Sequence, residues 1–346
     1  MNSITQNTSG RICILPQLEG IGGPAAFYSR VKNGFSIQGI EVTEDPLATG
    51  CRGILVIGGT KQVNDLWKAK KRGIRIVQRL NGMNWVHRKR FTGFSHFLRA
   101  ERNNLLLAFI RRYLAERVVY QSQFSKDWWF SEYRQIPGDE RVVYNGVDVS
   151  TYSPGDISLK PVGRTRILVV EGNVGWGHEY GISNSYHLGQ KLMEATGKPV
   201  ELLIAGSVPI EAQTIWVGEG NLSVQYLGVL PREEVIPLYR SSHMIFPVEL
   251  NASCPNSVIE AMSCGCPVIG FSTGSIPELV GEEAGVCVSY GSNHWNLEPP
   301  DISALAEAAC KVLEHQEHYS SSACRRAGRL FSVETMVEGY LKAIND

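Results

Sequence analysis

Long apolar runs are missing from this chain of 346 residues. A helix that crosses a bilayer needs roughly 18 or more consecutive apolar residues, and no such stretch occurs. The first residues, MNSITQNTSG, have neither the basic start nor the apolar centre of a secretory signal. We therefore expect a soluble protein that resides in the cytoplasm.

Cysteines at the spacing of a metal site are missing as well. The eight cysteines are scattered, and the single close pair, Cys264 and Cys266, is too tight for a zinc knuckle. No second pair accompanies it. We expect reduced, mostly buried thiols and no bound metal.

Net charge is zero, but the charge is distributed unevenly. Residues 1–155 contain 22 Lys and Arg against 12 Asp and Glu, which leaves 12 basic and 22 acidic residues for the remainder. Between Lys68 and Arg117, fourteen basic residues accompany only two acidic ones, with aromatic side chains interleaved. Such a stretch fits peripheral contact with an anionic membrane or a polyanionic acceptor, and a solvated basic face that docks against the acidic half is the alternative. No nucleic-acid-binding motif accompanies it, so nucleic acid is not an expected partner.

Short β-branched runs alternate with amphipathic segments along the chain, which is typical of parallel sheets with crossover helices. Two such series occur. The first has predicted strands at Arg11–Leu15, Ile54–Ile57, Ile74–Gln78, Val118–Gln121 and Val142–Val143, and helices beginning near Pro24, Thr60, Arg99 and Ser125. The second has predicted strands at Arg166–Val170, Val200–Ile204, Ser223–Leu227, Met244–Val248, Pro267–Phe271 and Val286–Ser289, and helices beginning near Ile182, Arg232, Ser257 and Asp301. Each series predicts a doubly wound, Rossmann-like α/β domain.

A turn-rich segment, Asn145–Gly155, separates the two series where the charge balance reverses. We therefore predict an N-terminal Rossmann-like domain over residues 1–155 and a C-terminal one over residues 156–330. Residues 331–346 are predicted as a helix that could pack back towards the N-terminal domain. Open α/β sheets bind ligands beyond the carboxyl ends of their strands, so the loops that follow strands are the candidate sites.

The first predicted strand leads into a glycine-rich turn, LEGIGGPAAF, with Pro24 at the first helical position. Backbone amides at such a helix start can bind a phosphate or a carboxylate, and a tight turn that needs small residues is the alternative. The turn lacks the dinucleotide fingerprint, because Ala25 stands where a third glycine would follow Gly20 and Gly22. An NAD-dependent oxidoreductase is therefore disfavoured.

A second loop-to-helix segment, FPVELNASCPNSVIEAMSCGCPVIGF, spans residues 246–271. A helix is predicted to open at Ser257, and Glu260 follows Ser257 at the spacing of a capping box. Glu260 could thus serve only to close its own helix. The alternative is that Glu260 faces a cleft and accepts hydrogen bonds from a ligand diol, while the helix amides face an anion.

These segments resemble the donor-site signature of the retaining, family-four GT-B glycosyltransferases. The resemblance is carried by PNSVIEAMSCGCPVIG at 255–270, GSIPELV at 274–280, ELLIAG at 201–206, QYLGVLP at 225–231, YNGVD at 144–148 and the turn at Gly22. It covers the C-terminal half more fully than the N-terminal half. It implies the GT-B fold, in which two Rossmann-like domains face each other across a cleft.

The resemblance also implies roles for particular residues. Glu260 matches the second glutamate of the family's E-x7-E pattern, which binds the ribose hydroxyls of the nucleotide. The other implied donor-binding residues are Ser253, Cys254, Pro255, Asn256 and Ser257 for sugar and diphosphate, Val229 and Leu230 for the base, Gly172 and Asn173 after the first C-terminal strand, and Gly22 and Gly23 for the phosphate. His87 stands where the family often keeps a histidine near the transferring sugar, and a surface histidine in a basic loop is the alternative.

The sequence departs from the family pattern in two places. The first glutamate of the pattern, which contacts the donor sugar, is replaced by Ala252, and Glu249 would reach the site only if the loop is rearranged. The family's Arg and Lys after the first C-terminal strand are also missing, since EGNVGWGHEYG occupies residues 171–181 with Asn173 and His178 near those positions. Arg166 or the basic N-terminal half could supply the missing charge.

We therefore predict a glycosyltransferase that moves a sugar from a nucleotide-diphosphate sugar to a carbohydrate, glycolipid or glycoprotein acceptor. The resemblance implies retention at the anomeric carbon, and helix starts and glycine amides can stabilise the leaving diphosphate without a metal or further cofactor. His87 and Glu249 are the candidate catalytic residues. A catalytically impaired GT-B binding or regulatory subunit is the main alternative, followed by a Rossmann oxidoreductase and by a sugar epimerase on a similar two-domain scaffold.

Overall fold

The computed structural model of the chain describes residues 10–20, 22–136, 138–156, 159–174 and 179–346. These residues form two compact α/β units. The first unit combines the residues up to Met83 with Glu101–Gly146 and Val333–Asp346, and the second combines Asn84–Ala100 with Val147–Ser332. Within the described ranges, none of the helices is long and apolar enough to cross a membrane.

The first unit is built on a parallel sheet. Its described strands are β1 (Arg11–Leu15), β2 (Glu41–Thr43), β3 (Cys51–Ile57), β4 (Arg75–Leu80), β5 (Arg117–Tyr120) and β6 (Asp139–Val142), in the spatial order β2-β1-β3-β4-β5-β6. All of these pairings are parallel. The central strands β3 and β4 are almost wholly buried, as expected for a sheet with helices on both faces.

The helices that follow these strands begin at local sequence signals. Their bounds are α1 (Gly23–Ile37), α2 (Val63–Lys71), α3 (Phe94–Phe109) and α4 (Gln123–Tyr133), with a 3₁₀ turn at Val86–Arg88 and a π-helical turn at Ile110–Leu114. Pro24 lies in the first turn of α1, where a missing N–H costs nothing. The Ser122 hydroxyl caps α4 by accepting a hydrogen bond of 3.0 Å from the Ser125 amide.

The second unit is built on another parallel sheet. Its described strands are β7 (Thr165–Asn173), β8 (Val200–Ser207), β9 (Leu222–Gly228), β10 (Met244–Ile245), β11 (Val268–Phe271) and β12 (Gly285–Val288), in the order β12-β11-β10-β7-β8-β9. Its helices are α5 (Tyr180–Thr196), α6 (Ile210–Ile215), α7 (Arg232–Ser241), α8 (Asn256–Ser263), α9 (Ile276–Val280), α10 (Ile302–Glu314) and α11 (Gln316–Leu330), with a 3₁₀ turn at His294–Asn296. Each pairing is parallel.

A last helix, α12 (Val333–Asn345), belongs to the first unit. The Tyr340 ring packs edge-on against Phe27 of α1 at 5.0 Å between centroids. Arg75 of β4 donates to the Ile344 carbonyl at 2.7 Å, and Arg117 of β5 donates to the Ala343 carbonyl at 2.8 Å. The apolar face of α12 is thereby part of the core beneath the first sheet.

The prediction of two doubly wound α/β domains is confirmed, since every predicted strand overlaps with an observed one, although Val142–Val143 shares only Val142 with β6. The sequence analysis missed β2, which has only three residues and no readable period. The predicted strand Met244–Val248 is shortened to Met244–Ile245, because Pro247 has no amide hydrogen for a central strand.

Two arginines of the basic stretch are buried inside the first unit. The Arg111 guanidinium donates to the Glu140 carboxylate at 3.1 Å and to the Tyr120 hydroxyl at 2.7 Å. Arg79 donates to the Asn145 side chain at 3.0 Å. The alternative of a solvated basic face does not hold at these two positions, because both charges are used for internal hydrogen bonds.

Candidate functional site

The order in which the chain adds strands to the second sheet reverses between β7 and β10. From β7 the chain proceeds outward to β8 and β9, and it then returns to place β10 on the other side of β7, followed by β11 and β12. Ligands of open α/β sheets bind at such a switch point, beyond the carboxyl ends of the strands. The loops after β7 and β10 are therefore the candidate site.

Glycines allow these loops to pack closely against one another. A Cβ atom on Gly181, at the start of α5, would lie 2.7 Å from the Val248 side chain in the loop after β10. A Cβ atom on Gly274, which has φ of +59°, would lie 2.7 Å from the Ala252 backbone. The Ser275 amide donates to the Ala252 carbonyl at 2.9 Å. The backbone around Ala252 is thus fixed by its neighbours.

Glu171, near the end of β7, has a strongly perturbed carboxyl group. Its Oε1 atom is buried without a hydrogen-bond partner, while the Glu249 amide donates to the carboxylate. Desolvation, followed by the negative charge of Glu249, raises the pKa of Glu171 to about 8. Glu171 is therefore largely protonated at neutral pH. The sequence analysis did not select it, although a glutamate that ends an otherwise apolar strand beside a glycine was a usable signal.

Glu249, a candidate catalytic residue, lies in the loop that follows β10, and its side chain is exposed. The next amide, of Leu250, donates to the Tyr180 hydroxyl at 3.3 Å. Desolvation raises the pKa of Tyr180, and the nearby carboxylates Glu249 and Glu171 add to the effect. Glu249, Glu171 and Tyr180 thus lie together at the switch point.

Arg90 brings a positive charge to the same region, and the sequence analysis did not single it out. Its guanidinium lies 5.7 Å from the centroid of the Tyr180 ring, within the range of a cation–π contact. No carboxylate in the described part of the chain pairs with Arg90. Lys89, its neighbour, donates to the Asn296 side chain at 2.9 Å, and Trp85 packs against Trp295. These contacts attach the segment around Arg90 to the second unit.

Glu260 lies in the middle of α8 and is half-buried. The helix begins at Asn256 with Pro255 as its N-cap, and no side chain caps it. The capping-box alternative is therefore wrong, because Ser257 already lies inside the first turn. One Glu260 oxygen, Oε2, instead accepts a hydrogen bond of 3.3 Å from the Tyr239 hydroxyl of α7.

The residues before and within the first turn of α8 form a short loop that leads into the amino end of the helix. Cys254 is buried, whereas Ser253, Pro255, Asn256 and Ser257 are partly exposed. An eight-residue helix carries its positive dipole end at this point. The loop and helix start can therefore receive an anionic or hydroxyl-rich ligand.

The other predicted donor-site positions of the second unit also follow strands. Val229 is exposed and Leu230 is half-buried between β9 and α7, and Gly172 and Asn173 are exposed at the end of β7. His178 lies outside the described residues. A Cβ atom on Gly172 would have no described neighbour within 4 Å, so packing does not explain this glycine.

Gly22 and Gly23 lie at the start of α1 in the first unit. Gly22 is the N-cap residue with φ of −68°, and a Cβ atom there would have no described neighbour within 4 Å. Neither conformation nor packing among the described residues requires glycine at position 22. The alternative that Gly22 is needed for packing is thus not supported. Close approach of a ligand to the backbone would still favour glycine at this position.

His87, the other candidate catalytic residue, is buried in the 3₁₀ turn at Val86–Arg88, with 6% of its surface exposed. Its ring packs edge-on against Phe97 at 5.1 Å. The alternative of a surface histidine is therefore wrong, because the aromatic start of α3 covers the ring.

One residue was expected to compensate for a departure from the family pattern, and another is itself such a departure. Arg166 lies at the amino end of β7, opposite to the switch-point edge, and donates to Glu201 at 2.6 Å. The prediction that Arg166 supplies charge to the site is therefore wrong. Ala252 is buried, with 1% of its surface exposed.

The fold and the switch-point site define a class of protein. A family model for glycosyl transferases group 1 matches residues 172–315, which include both switch-point loops. The resemblance to GT-B glycosyltransferases is confirmed by this match in the second unit and by the shared fold of solved structures.

Particular relatives are distant in sequence. The chain is 22% identical over 260 residues to a D-inositol 3-phosphate glycosyltransferase of Mycolicibacterium vanbaalenii, covering 67% of this chain and 54% of the relative. It is 27% identical over 201 residues to an N-acetyl-alpha-D-glucosaminyl L-malate synthase of Bacillus anthracis, covering 52% of this chain and 45% of the relative. The matched regions thus span about half the length of these curated relatives.

Solved structures of the same fold cover nearly the whole chain. Sucrose-phosphate synthase from Thermosynechococcus elongatus has a TM-score of 0.71 at 15% identity, over 96% of this chain and 98% of that one. Anabaena HepE, in complex with UDP and glucose, has a TM-score of 0.64 at 16% identity, over 97% and 100%. The predicted GT-B fold is thereby confirmed.

Proposed function

We propose that this chain is a glycosyltransferase that uses a nucleotide-diphosphate sugar as donor and binds it at the switch point of the second unit. The observation that carries the proposal is Glu260, which lies in the matched family segment and has no capping role in its own helix. A partly exposed carboxylate beside a helix start can accept hydrogen bonds from a ribose diol. Because HepE structures hold UDP or UDP-glucose, a uridine-diphosphate sugar is the first donor to test.

In the proposed reaction, the bond between the anomeric carbon and the diphosphate oxygen breaks, and the acceptor hydroxyl oxygen bonds to that carbon. The diphosphate leaves with the bonding electrons, so negative charge grows on its oxygens. The helix start of α8 and the amides around Gly172 would stabilise this charge. Arg90 would add the cation that the loop after β7 lacks.

Several finer features belong to the same proposal. Glu249 and His87 are our candidate catalytic residues, and Glu249 is the more accessible of the two. We further propose that residues 156–330 form the donor domain and that residues 1–155 form a domain that binds a carbohydrate, glycolipid or glycoprotein acceptor. Residues 331–346 would complete this acceptor domain. Transfer would proceed with retention, without a metal ion and without a further cofactor, in the cytoplasm.

The proposal is tested by substituting Glu260. Glu260→Gln should weaken UDP binding by about tenfold to a hundredfold, because a charged hydrogen bond contributes about 1.5–3 kcal/mol. Affinity is measured by calorimetric titration with UDP, GDP and ADP, and turnover by release of nucleoside diphosphate from the matching sugar. The matched control is Glu282→Gln, which removes an exposed carboxylate from the same unit.

A binding or regulatory subunit is the second candidate function, and the buried alanine at position 252 favours it. A non-catalytic subunit would bind the nucleotide in a Glu260-dependent manner and release no diphosphate with any acceptor. Failure of the wild-type chain to bind any nucleoside diphosphate would contradict both candidates.

A further inference from the structure

An exposed apolar stripe runs along α3. Phe94 and Leu98 are 72% and 54% exposed, and Leu105 and Phe109 further along the helix are 63% and 41% exposed. Their spacing of four and seven residues places them on one helical face. Glu101 lies on the same face between the two pairs, so the stripe is interrupted there. Single exposed apolar residues are ordinary, but Leu105 and Phe109 with Tyr113 in the next turn form an exposed apolar cluster, which indicates an interaction surface.

The part of this stripe in the first unit borders a shallow depression of about 680 Å³. Its lining includes Arg102, Leu105, Phe109, Arg112, Tyr113 and Ile136. Tyr113 is 57% exposed in the π-helical turn that follows α3. The depression is therefore lined by apolar side chains together with arginines.

Exposed arginines outnumber acidic residues beside the stripe, where Glu101 is the acidic residue of α3. Arg99, Arg102 and Arg112 are exposed, and in the described ranges none of them forms an ion pair. Arg111 also lines the depression, but its guanidinium forms a buried ion pair with Glu140. No acidic residue belongs to the described lining. An apolar face bordered by arginines fits a surface that presents phosphate groups above hydrocarbon.

We propose that this α3 face, defined by Arg102, Leu105, Phe109, Arg112 and Tyr113, docks on the surface of an anionic phospholipid bilayer. The aromatic and leucine side chains enter the boundary between headgroups and acyl chains, and the arginines contact lipid phosphates. Both components are required, because a short apolar face alone gives weak and reversible membrane binding. The proposal concerns α3 and the π-helical turn that follows it, and it does not rest on the donor site.

Co-sedimentation with vesicles tests the proposal. The wild-type chain should bind vesicles of phosphatidylcholine with phosphatidylglycerol, but not vesicles of phosphatidylcholine alone, and added salt should weaken the binding. Arg102→Gln with Arg112→Gln should reduce partitioning by about 25-fold, since each basic residue near the surface contributes about 1 kcal/mol, or about fivefold. Leu105→Gln with Phe109→Gln should reduce it by about tenfold at any salt concentration.

The matched control is Lys32→Gln with Lys342→Gln, which removes two positive charges from α1 and α12 of the same unit. These helices pack on the opposite face of the first sheet from α2 and the π-helical turn. The control should keep vesicle binding, and all variants should keep the wild-type melting temperature because the substituted side chains are at the surface.

Three results would overturn the proposal. One is equal binding of the wild-type chain to anionic and neutral vesicles, or to neither. Another is the observation of a concentration-dependent dimer by sedimentation velocity, if the Leu105→Gln, Phe109→Gln variant no longer dimerises but binds vesicles like the wild type. That result would assign the face to contact with a second copy of the chain. The third is loss of double-stranded DNA binding, but not of vesicle binding, in the arginine variant.

Discussion

The protonation of Glu171 predicts an unusual dependence of stability on pH. In the unfolded chain this carboxyl group ionises near its ordinary pKa of 4.5, whereas in the folded protein it retains its proton up to about pH 8. As the pH rises from 4.5 to 8, the unfolded state therefore releases a proton that the folded state keeps. The linked free energy of unfolding falls over this range, and the stability present at low pH is lost as the pH approaches 8.

The size of the effect follows from the shift in pKa. The difference between about 8 and 4.5 is about 3.5 pKa units, which corresponds to a loss of up to about 5 kcal/mol at about 1.4 kcal/mol per unit. Glu171→Gln cannot ionise in either state, so the loss disappears. The variant should match the wild type near pH 4.5 and become progressively more stable than it towards pH 8.

Urea-induced unfolding at pH 4.5, 6 and 8 measures this difference, because the titration of groups that do not interact with Glu171 cancels between variant and wild type. Glu249→Gln should show a smaller gain, since it removes the repelling charge but leaves the desolvation of Glu171. The exposed Glu282→Gln control should show none. A difference between Glu171→Gln and wild type that is the same at pH 4.5 and pH 8 would refute the reasoning.

Two further predictions concern other charged groups. Arg90→Gln should weaken UDP binding by about tenfold and leave uridine binding unchanged, because a cation near the diphosphate acts only on the charged ligand, and Arg90→Lys should recover part of the affinity. Calorimetric titration measures the affinity for both ligands, with Arg99→Gln as the control variant. An equal loss of affinity for uridine would contradict the assignment. Glu140→Gln should lower the free energy of unfolding by about 3–5 kcal/mol, because the buried Arg111 would lose its carboxylate. Denaturant titration measures the free energy of unfolding of each variant. The control Glu338→Gln removes a carboxylate from an exposed ion pair and should change stability little. A similarly small effect of Glu140→Gln would contradict the prediction and show that the Tyr120 hydroxyl and the Arg134 carbonyl are sufficient partners for the Arg111 guanidinium.

Local periodicity was sufficient to predict the two sheets, because each buried strand carries its own apolar run. The loop and helix around Glu260 were also predictable, since the motif is continuous in sequence. The contacts of Glu171 and Arg90 were not predictable in this way. Glu171 and the Glu249 amide meet only because β10 returns to the side of β7, and Arg90 reaches Tyr180 only through the fold of the second unit.

Burial was the other quantity that the sequence could not supply. Charged residues are solvated by default, so Arg79 and Arg111 were counted with the exposed basic residues although both have internal partners. His87 was considered as a surface residue for the same reason. Conversely, the exposed stripe of α3 has a helical period that usually indicates a buried face, and only the structure distinguishes the two cases.

The position of α12 has a consequence for biosynthesis. Met336, Tyr340 and Ile344 fill the core of the first sheet, yet the ribosome makes them after the entire second unit. The unit whose translation starts first therefore cannot complete its interior until residues 333–345 have emerged. During that interval the apolar face of α1 that packs against α12 remains uncovered. A chaperone that recognises apolar surface would be able to bind this face throughout the interval.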